Sequence, residues 1–316
     1  MKIRNYTAKL LLSMFIICCI APAAGCGCAV NEPVVTPHPT GPDDTPDAES
    51  SAGPTASAGE TGKPEISPLT VDILKIGKAD AIILRTGDKA MLIDAGETDD
   101  GPEVVEFIRN AGITSLECMI ITHYDKDHVG GACDVLDAFN VKRILLPDYE
   151  GTNQEYRDFA EKMETYPVRA EKLNGEVSFS FGDASVCVQP PDSYEMPDPE
   201  KEYDNDFSLL TWIEHGENRL FFTGDIEKAR IKQWLASETD TKCDFLKFPH
   251  HGSYNKALPA FLEALKPEFT VICSSDKKPA EEKTLRLLES MGIKTFETRN
   301  GNVKVISDGK NITVSQ

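Results

Sequence analysis

Thr122-His123-Tyr124-Asp125-Lys126-Asp127-His128-Val129-Gly130-Gly131 follows directly on an apolar run, Met119-Ile120-Ile121. Two histidines and two aspartates fall within six consecutive positions. Imidazole nitrogens and carboxylate oxygens are the donors that zinc and similar divalent ions take. A buried strand ending in four such side chains points to a metal site at its C-terminal end. His123 and Asp125, two apart in extended backbone, point the same way. Asp127 and His128 lie past the turn, within reach of a second ion.

Working outward, the same arrangement recurs. An apolar run over 219–222 ends in Thr223-Gly224-Asp225, and one over 245–248 ends in Pro249-His250-His251-Gly252-Ser253. An earlier strand, 90–93, ends in Asp94-Ala95-Gly96. Four of the six histidines thus sit in two motifs, each following a buried run. His215, beside Gly216, reads as a hairpin-turn residue. Ser253 lacks a base of its own and reads as a loop cap.

Periodicity places the remaining elements. Strands are predicted at 71–76, 81–84, 116–121 and 142–146. A hairpin is predicted over 177–181 and 184–188, and further strands at 207–213, 269–273, 294–298 and 303–306. Helices are predicted at 101–110, 132–139, 153–166, 227–236, 258–265 and 280–291. Residues 190–204 read as a long, acidic, solvated loop. Strands followed by strand–helix units, twice over, predict an α/β fold: two mixed β-sheets packed together with helices outside, an αββα sandwich.

The N-terminus has its own logic. Lys2, Arg4 and Lys9 precede an apolar stretch over 10–20 that is short for a membrane span. Ala23-Ala24-Gly25-Cys26 follows and resembles a bacterial lipobox. The expectation is a lipoprotein-type signal peptide over 1–25, with Cys26 as the lipid attachment site. The protein is then exported and held by its lipid on the extracytoplasmic side of the cell membrane. Residues 26–67 are rich in Pro, Thr, Ser, Gly, Asp and Glu. They cannot bury enough surface to offset chain entropy, so a disordered tether is expected. Residues 68–316 have the length of one large domain.

The chain holds 33 basic and 52 acidic residues, for a net charge of −19. The first 67 positions contribute only seven acids and four bases, so the acidic excess lies in the domain. Such a field repels nucleic acid and anionic membrane at long range, although bound cations invert the sign locally. Five of the nine cysteines fall in the domain, with no Cys-x-x-Cys pair. Cys118, Cys187 and Cys273 lie in apolar runs and read as small buried hydrophobes.

His-x-Asp-x-Asp-His with Gly-Gly, then Thr-Gly-Asp, then Pro-His-His-Gly-Ser, resembles the metallo-β-lactamase superfamily. The closest pattern within it is that of ComEC-like extracellular hydrolase domains, and it extends over residues 69–305. The resemblance implies two divalent ions, zinc first. It implies that His123 and Asp125 hold one, that Asp127, His128 and His251 hold the other, and that Asp225 bridges them. Asp94 would be a structural carboxylate behind the ligands. His250 would face the substrate or leaving group, so Asp127 and His250 are the catalytic candidates. Asp125 stands where the commoner pattern has histidine. Asn205 stands near the place of a further histidine, as a weak ligand. Oxygen donors there make manganese or magnesium competitive at the first site. Where relatives carry a His-bearing motif, this chain reads Ser274-Ser275-Asp276-Lys277-Lys278-Pro279, which weighs against a nuclease.

The resemblance therefore implies an exported hydrolase whose metal-bound hydroxide attacks a phosphodiester, in nucleic acid or in a cell-envelope polymer. The alternatives are a carboxylic-ester or lactam hydrolase, and a catalytically weak metal- or partner-binding lipoprotein. No protein partner is evident; the membrane is reached through the lipid.

Overall fold

The computed structural model describes residues 66–196, 203–237 and 241–316. The expected signal peptide, Cys26 and nearly all of the tether lie outside these residues. Among the described residues, no helix is long and apolar enough to cross a membrane.

Two mixed sheets form the centre. The first has eight strands in the order Ile312–Ser315, Val303–Ser307, Leu69–Ile73, Ala81–Thr86, Lys89–Ala95, Cys118–Ile120, Ile144–Pro147, Glu171–Leu173. Its pairings are antiparallel up to Lys89–Ala95 and parallel beyond it. The second has seven, in the order Lys294–Glu297, Phe269–Ile272, Phe245–Lys247, Asn218–Phe222, Leu210–His215, Ala184–Gln189, Val177–Phe181. There the parallel half comprises the first four strands.

The central strands are apolar on both faces, and three cores explain why. Ile82, Leu84, Met91 and Ile93 point into the core between the sheets, against Val186, Leu220, Phe222 and Val271. Their alternating neighbours Ile83 and Leu92 face the other way, onto Val104 and Ile108 of the helix Gly101–Asn110 and Phe159 of the helix Gln154–Thr165. On the far side Trp212, Phe221 and Leu246 meet Trp234, Phe261 and Leu288 from three helices. Period-2 alternation between two dry layers produces the continuous apolar runs seen in the sequence. The architecture is the expected αββα sandwich.

Several local expectations change. The strand predicted over 116–121 is interrupted at Glu117, giving Ser115–Leu116 and Cys118–Ile120. The segment predicted as strand over 207–213 starts later, at Leu210–His215. Residues Asn205–Phe207 form a 3-10 turn, because Phe207 leaves the sheet to pack on Tyr149, Tyr194 and Tyr203. The loop over 190–204 is accordingly anchored by its tyrosines rather than wholly solvated; residues 197–202 lie outside the described set. His215 is no exposed turn residue. It is fully buried, with Nδ1 2.7 Å from Ser307 Oγ and Nε2 3.0 Å from the Ser67 carbonyl. Cys118, Cys133, Cys243 and Cys273 are free thiols.

The parallel strands set the site. Lys89–Ala95 and Cys118–Ile120 in one sheet, and Asn218–Phe222 and Phe245–Lys247 in the other, lead at their carboxyl ends into the four motifs. The crevice outside the carboxyl ends of parallel strands is where α/β sheets bind ligands.

Candidate metal centre

His123, Asp127, His128, Asp225 and His251 are all brought together and buried. Asp225 occupies the middle. Its Oδ2 lies 2.7 Å from His251 Nε2 and 3.3 Å from His128 Nε2. His251 Nε2 is also 3.3 Å from Asp127 Oδ2. The His123 and His128 rings stand 4.0 Å apart. Two sets of donor atoms lie close enough to share an ion: His123, His128 and Asp225, and Asp80, His128 and His251. His128 thus belongs with both sets, where sequence reasoning put it with Asp127 and His251 alone. Asp80 was not anticipated at all.

The fit to metal ions is carried by what these atoms lack. His123 Nε2, His128 Nε2, His251 Nε2, Asp127 Oδ2, Asp225 Oδ1 and Asp80 Oδ1 are buried without a hydrogen bond of acceptable geometry. A buried polar atom without a partner costs about 1–3 kcal/mol, and native folds rarely leave several side by side. Three imidazole nitrogens and three carboxylate oxygens facing one another without well-formed hydrogen bonds are a donor set for divalent cations.

The opposite face of each imidazole is fixed. His128 Nδ1 lies 2.8 Å from Asp94 Oδ2. The same carboxylate accepts from Thr122 N and Thr122 Oγ1, both at 2.7 Å. Asp94 holds this place at φ 57°, a left-handed conformation uncommon outside glycine, Asn and Asp. His251 Nδ1 is 3.1 Å from the Cys273 carbonyl. His123 Nδ1 faces Thr122 Oγ1 at 3.1 Å and Ser208 Oγ at 3.3 Å, and Ser208 Oγ accepts from Asp225 N. These contacts select the ring face presented inward.

The charges respond to one another. Burial would raise the Asp225 carboxyl, but His251 and His128 hold it well below its ordinary range. Asp127 is lowered for the same reason by His251 and His128, with Lys78 adding. Burial would lower His128 and His251, yet Asp225, joined by Asp94 and Asp127 respectively, raises both.

The remaining candidates stand around this core. Asp125 is 40% exposed, and its Oδ2 is 3.7 Å from His123 Nε2, so it faces the first donor set from the rim. Asn205 lines the same cleft of about 540 Å³ as Asp125 and Asp127. Its amide reaches Glu227 Oε1 at 3.5 Å, and its Oδ1 is buried and unpartnered. His250 lies outside both donor sets, with Nδ1 3.0 Å from Oε1 of Glu227, which lines the cleft. The structure therefore puts His251, not His250, among the donor atoms. Both adopt positive φ, 45° and 51°. Such strain in adjacent residues concentrates at functional loops.

Asp80 and Lys247 form a buried ion pair beneath the cluster, each 1% exposed. Lys247 Nζ is also 3.7 Å from Asp225 Oδ1. Lys247 left a trace in the sequence, where it interrupts the run Phe245-Leu246-Lys247-Phe248; Asp80 left none.

The model of the metallo-beta-lactamase superfamily matches residues 75–185. The chain is 28% identical over 257 residues to ComE operon protein 3 of Bacillus subtilis, covering 74% of this chain and 32% of that protein. It is 26% identical over 214 residues to Recombination protein 2 of Haemophilus influenzae, covering 66% and 24% respectively. Competence protein ComA of Neisseria gonorrhoeae is 24% identical over 247 residues, with 75% and 32% covered. The match spans about a third or less of each relative's length. Residues 75–185 thus match the metallo-β-lactamase superfamily, and the described domain resembles part of each of these competence and recombination proteins.

Proposed function

We propose that this domain is a metal-dependent phosphodiesterase. The observation that carries the proposal is the set of six buried donor atoms, none with a well-formed hydrogen bond, beside an open polar cleft. His123 and Asp125 would hold one ion, Asp127 and His251 the other, with His128 and Asp225 between them. Zinc is the first choice; the oxygen donors Asp125 and Asn205 leave manganese or magnesium competitive at the first site. Two divalent ions, when bound, supply an activated water and Lewis acidity toward a phosphoryl oxygen.

The chain supplies the rest. Asp94 and the Cys273 carbonyl keep the Nε2 atoms of His128 and His251 turned inward. His250 gives a proton to the departing oxygen as the phosphorus–oxygen bond breaks, and Glu227 stabilises the charged ring from 3.0 Å. The products are a phosphomonoester and an alcohol. Relatives named for competence and recombination support a nucleic-acid substrate. The chain's acidity supports a cell-envelope polymer. The N-terminal pattern supports export and anchoring through Cys26.

The exposure of Asp125 favours one rival, a metal-binding lipoprotein of weak activity. A chromogenic phosphodiester assayed with zinc and with manganese separates the two. Turnover by the wild type that vanishes in Asp127→Ala/Asp225→Ala is the expected result. Turnover that survives both substitutions would refute the mechanism, and a metal-loaded wild type without turnover would favour the rival.

A further inference from the structure

The metal cleft is walled mainly by acids, Asp125, Asp127, Asp204, Asp206 and Glu227. An anionic substrate entering such a cleft needs a cation that the ligands do not consume. The described lining holds two, Lys78 and Lys126. Lys126 is 60% exposed and leans out to Glu97, 3.4 Å away. Lys78 leans in, with Nζ 2.8 Å from Asp127 Oδ2 and the side chain 35% exposed.

Its loop is fixed to the site at both backbone and side chain. Asp80 N donates to the Asp127 carbonyl at 3.1 Å, and the Asp80 carbonyl accepts from Gly96 N at 2.8 Å. The Asp80 carboxylate is held by the buried Lys247 ammonium. Gly77 turns the chain at φ 82° just before Lys78. Two residues separate that turn from the buried pair, so the amine is delivered to one edge of the cluster.

Asp127 Oδ2 is also one of the candidate donor atoms, and Lys78 is the cation now beside it. A cation taken up by Asp127 competes with Lys78 for that oxygen and repels it. The ammonium then needs a new acceptor, and the cleft beside it is where a substrate's unesterified oxygen would arrive.

We propose that Lys78 is the substrate-anion anchor of the cleft, released from Asp127 on metal loading and donating to a non-bridging oxygen of a phosphate-type substrate. The proposal rests on the phosphodiesterase reading for its substrate class, but not for the anion contact itself. Lys78 makes the domain selective for anionic over neutral esters. One charge-assisted hydrogen bond corresponds to roughly tenfold to a hundredfold in affinity.

The test uses metal-loaded wild type, Lys78→Met and Lys78→Arg, with inorganic phosphate as the calorimetric probe and metal content measured on each. Phosphate binding weakened roughly tenfold or more in Lys78→Met and retained in Lys78→Arg, at equal metal content, is expected. KM for a chromogenic phosphodiester should rise in parallel, while KM for a neutral carboxylic ester stays put. Unchanged phosphate affinity in Lys78→Met, or no phosphate binding by the wild type, overturns the proposal. So does loss of metal in Lys78→Met, which would make Lys78 a support for Asp127. Wild type that binds phosphate through Lys78 but hydrolyses no phosphodiester would refute the enzymatic function and leave the anchor standing.

Discussion

Asp94 does more for the centre than its distance from the cleft suggests. Its carboxylate meets Thr122 N, Thr122 Oγ1 and His128 Nδ1, and is wholly buried. With His128 Nδ1 engaged there, Nε2 is the nitrogen left to face Asp225. Partners of this kind behind a metal-binding histidine contribute about 10–100-fold to metal affinity. Asp94→Asn keeps the shape but loses the charge. Metal affinity, measured by chelator competition, should fall by about that factor while the fold persists. Unchanged affinity would show that the Asp94–His128 contact is packing alone. This residue was legible because a carboxylate in an Asp-Ala-Gly strand end matched a family pattern. Asp80 and Lys78 were not, since Ala79-Asp80 before an apolar strand reads as an ordinary turn. Only the folded chain brings Asp80 to Lys247, 167 positions away.

Among the elements, strand ends were read well and the edges of the first sheet poorly. The strands behind the four motifs are buried on both faces, so their composition is unmistakable. The edge strands Glu171–Leu173 and Ile312–Ser315 are short and half polar, and no periodicity announced them. The strand start at Phe207 was misread because three aromatic neighbours draw that side chain out of the sheet. The turn after His128 makes its own demand. A Cβ at Gly131 would press on the Ala95 carbonyl and stand 2.9 Å from Gly101 Cα. Both are backbone atoms, which cannot swing aside. Gly131→Ala should destabilise the domain by about 1–3 kcal/mol, read by denaturant unfolding. Full stability would mean that the two loops are not in contact.

At the scale of the whole molecule, a buried lysine–carboxylate pair joins the two sheets under the site. Asp80 comes from the loop ahead of a first-sheet strand, Lys247 from a second-sheet strand. Removing one partner strands the other charge in a dry interior, at a cost of about 3–5 kcal/mol. Lys247→Met should therefore unfold far more easily than wild type, and Lys247→Met/Asp80→Asn should recover much of the loss. Equal stability of the single and double variants in denaturant would contradict the pair's role. The double variant also alters Asp80, one of the candidate donors, so its metal content is measured beside its stability.

The central claim is that the bare donor atoms of His123, Asp127, His128, Asp225 and His251 hold two divalent ions. Elemental analysis of the purified protein, after loading with zinc and removal of the excess, tests it most directly. The account predicts two ions per chain in the wild type and a clear loss in Asp127→Ala/Asp225→Ala. A wild type that takes up no metal would contradict it.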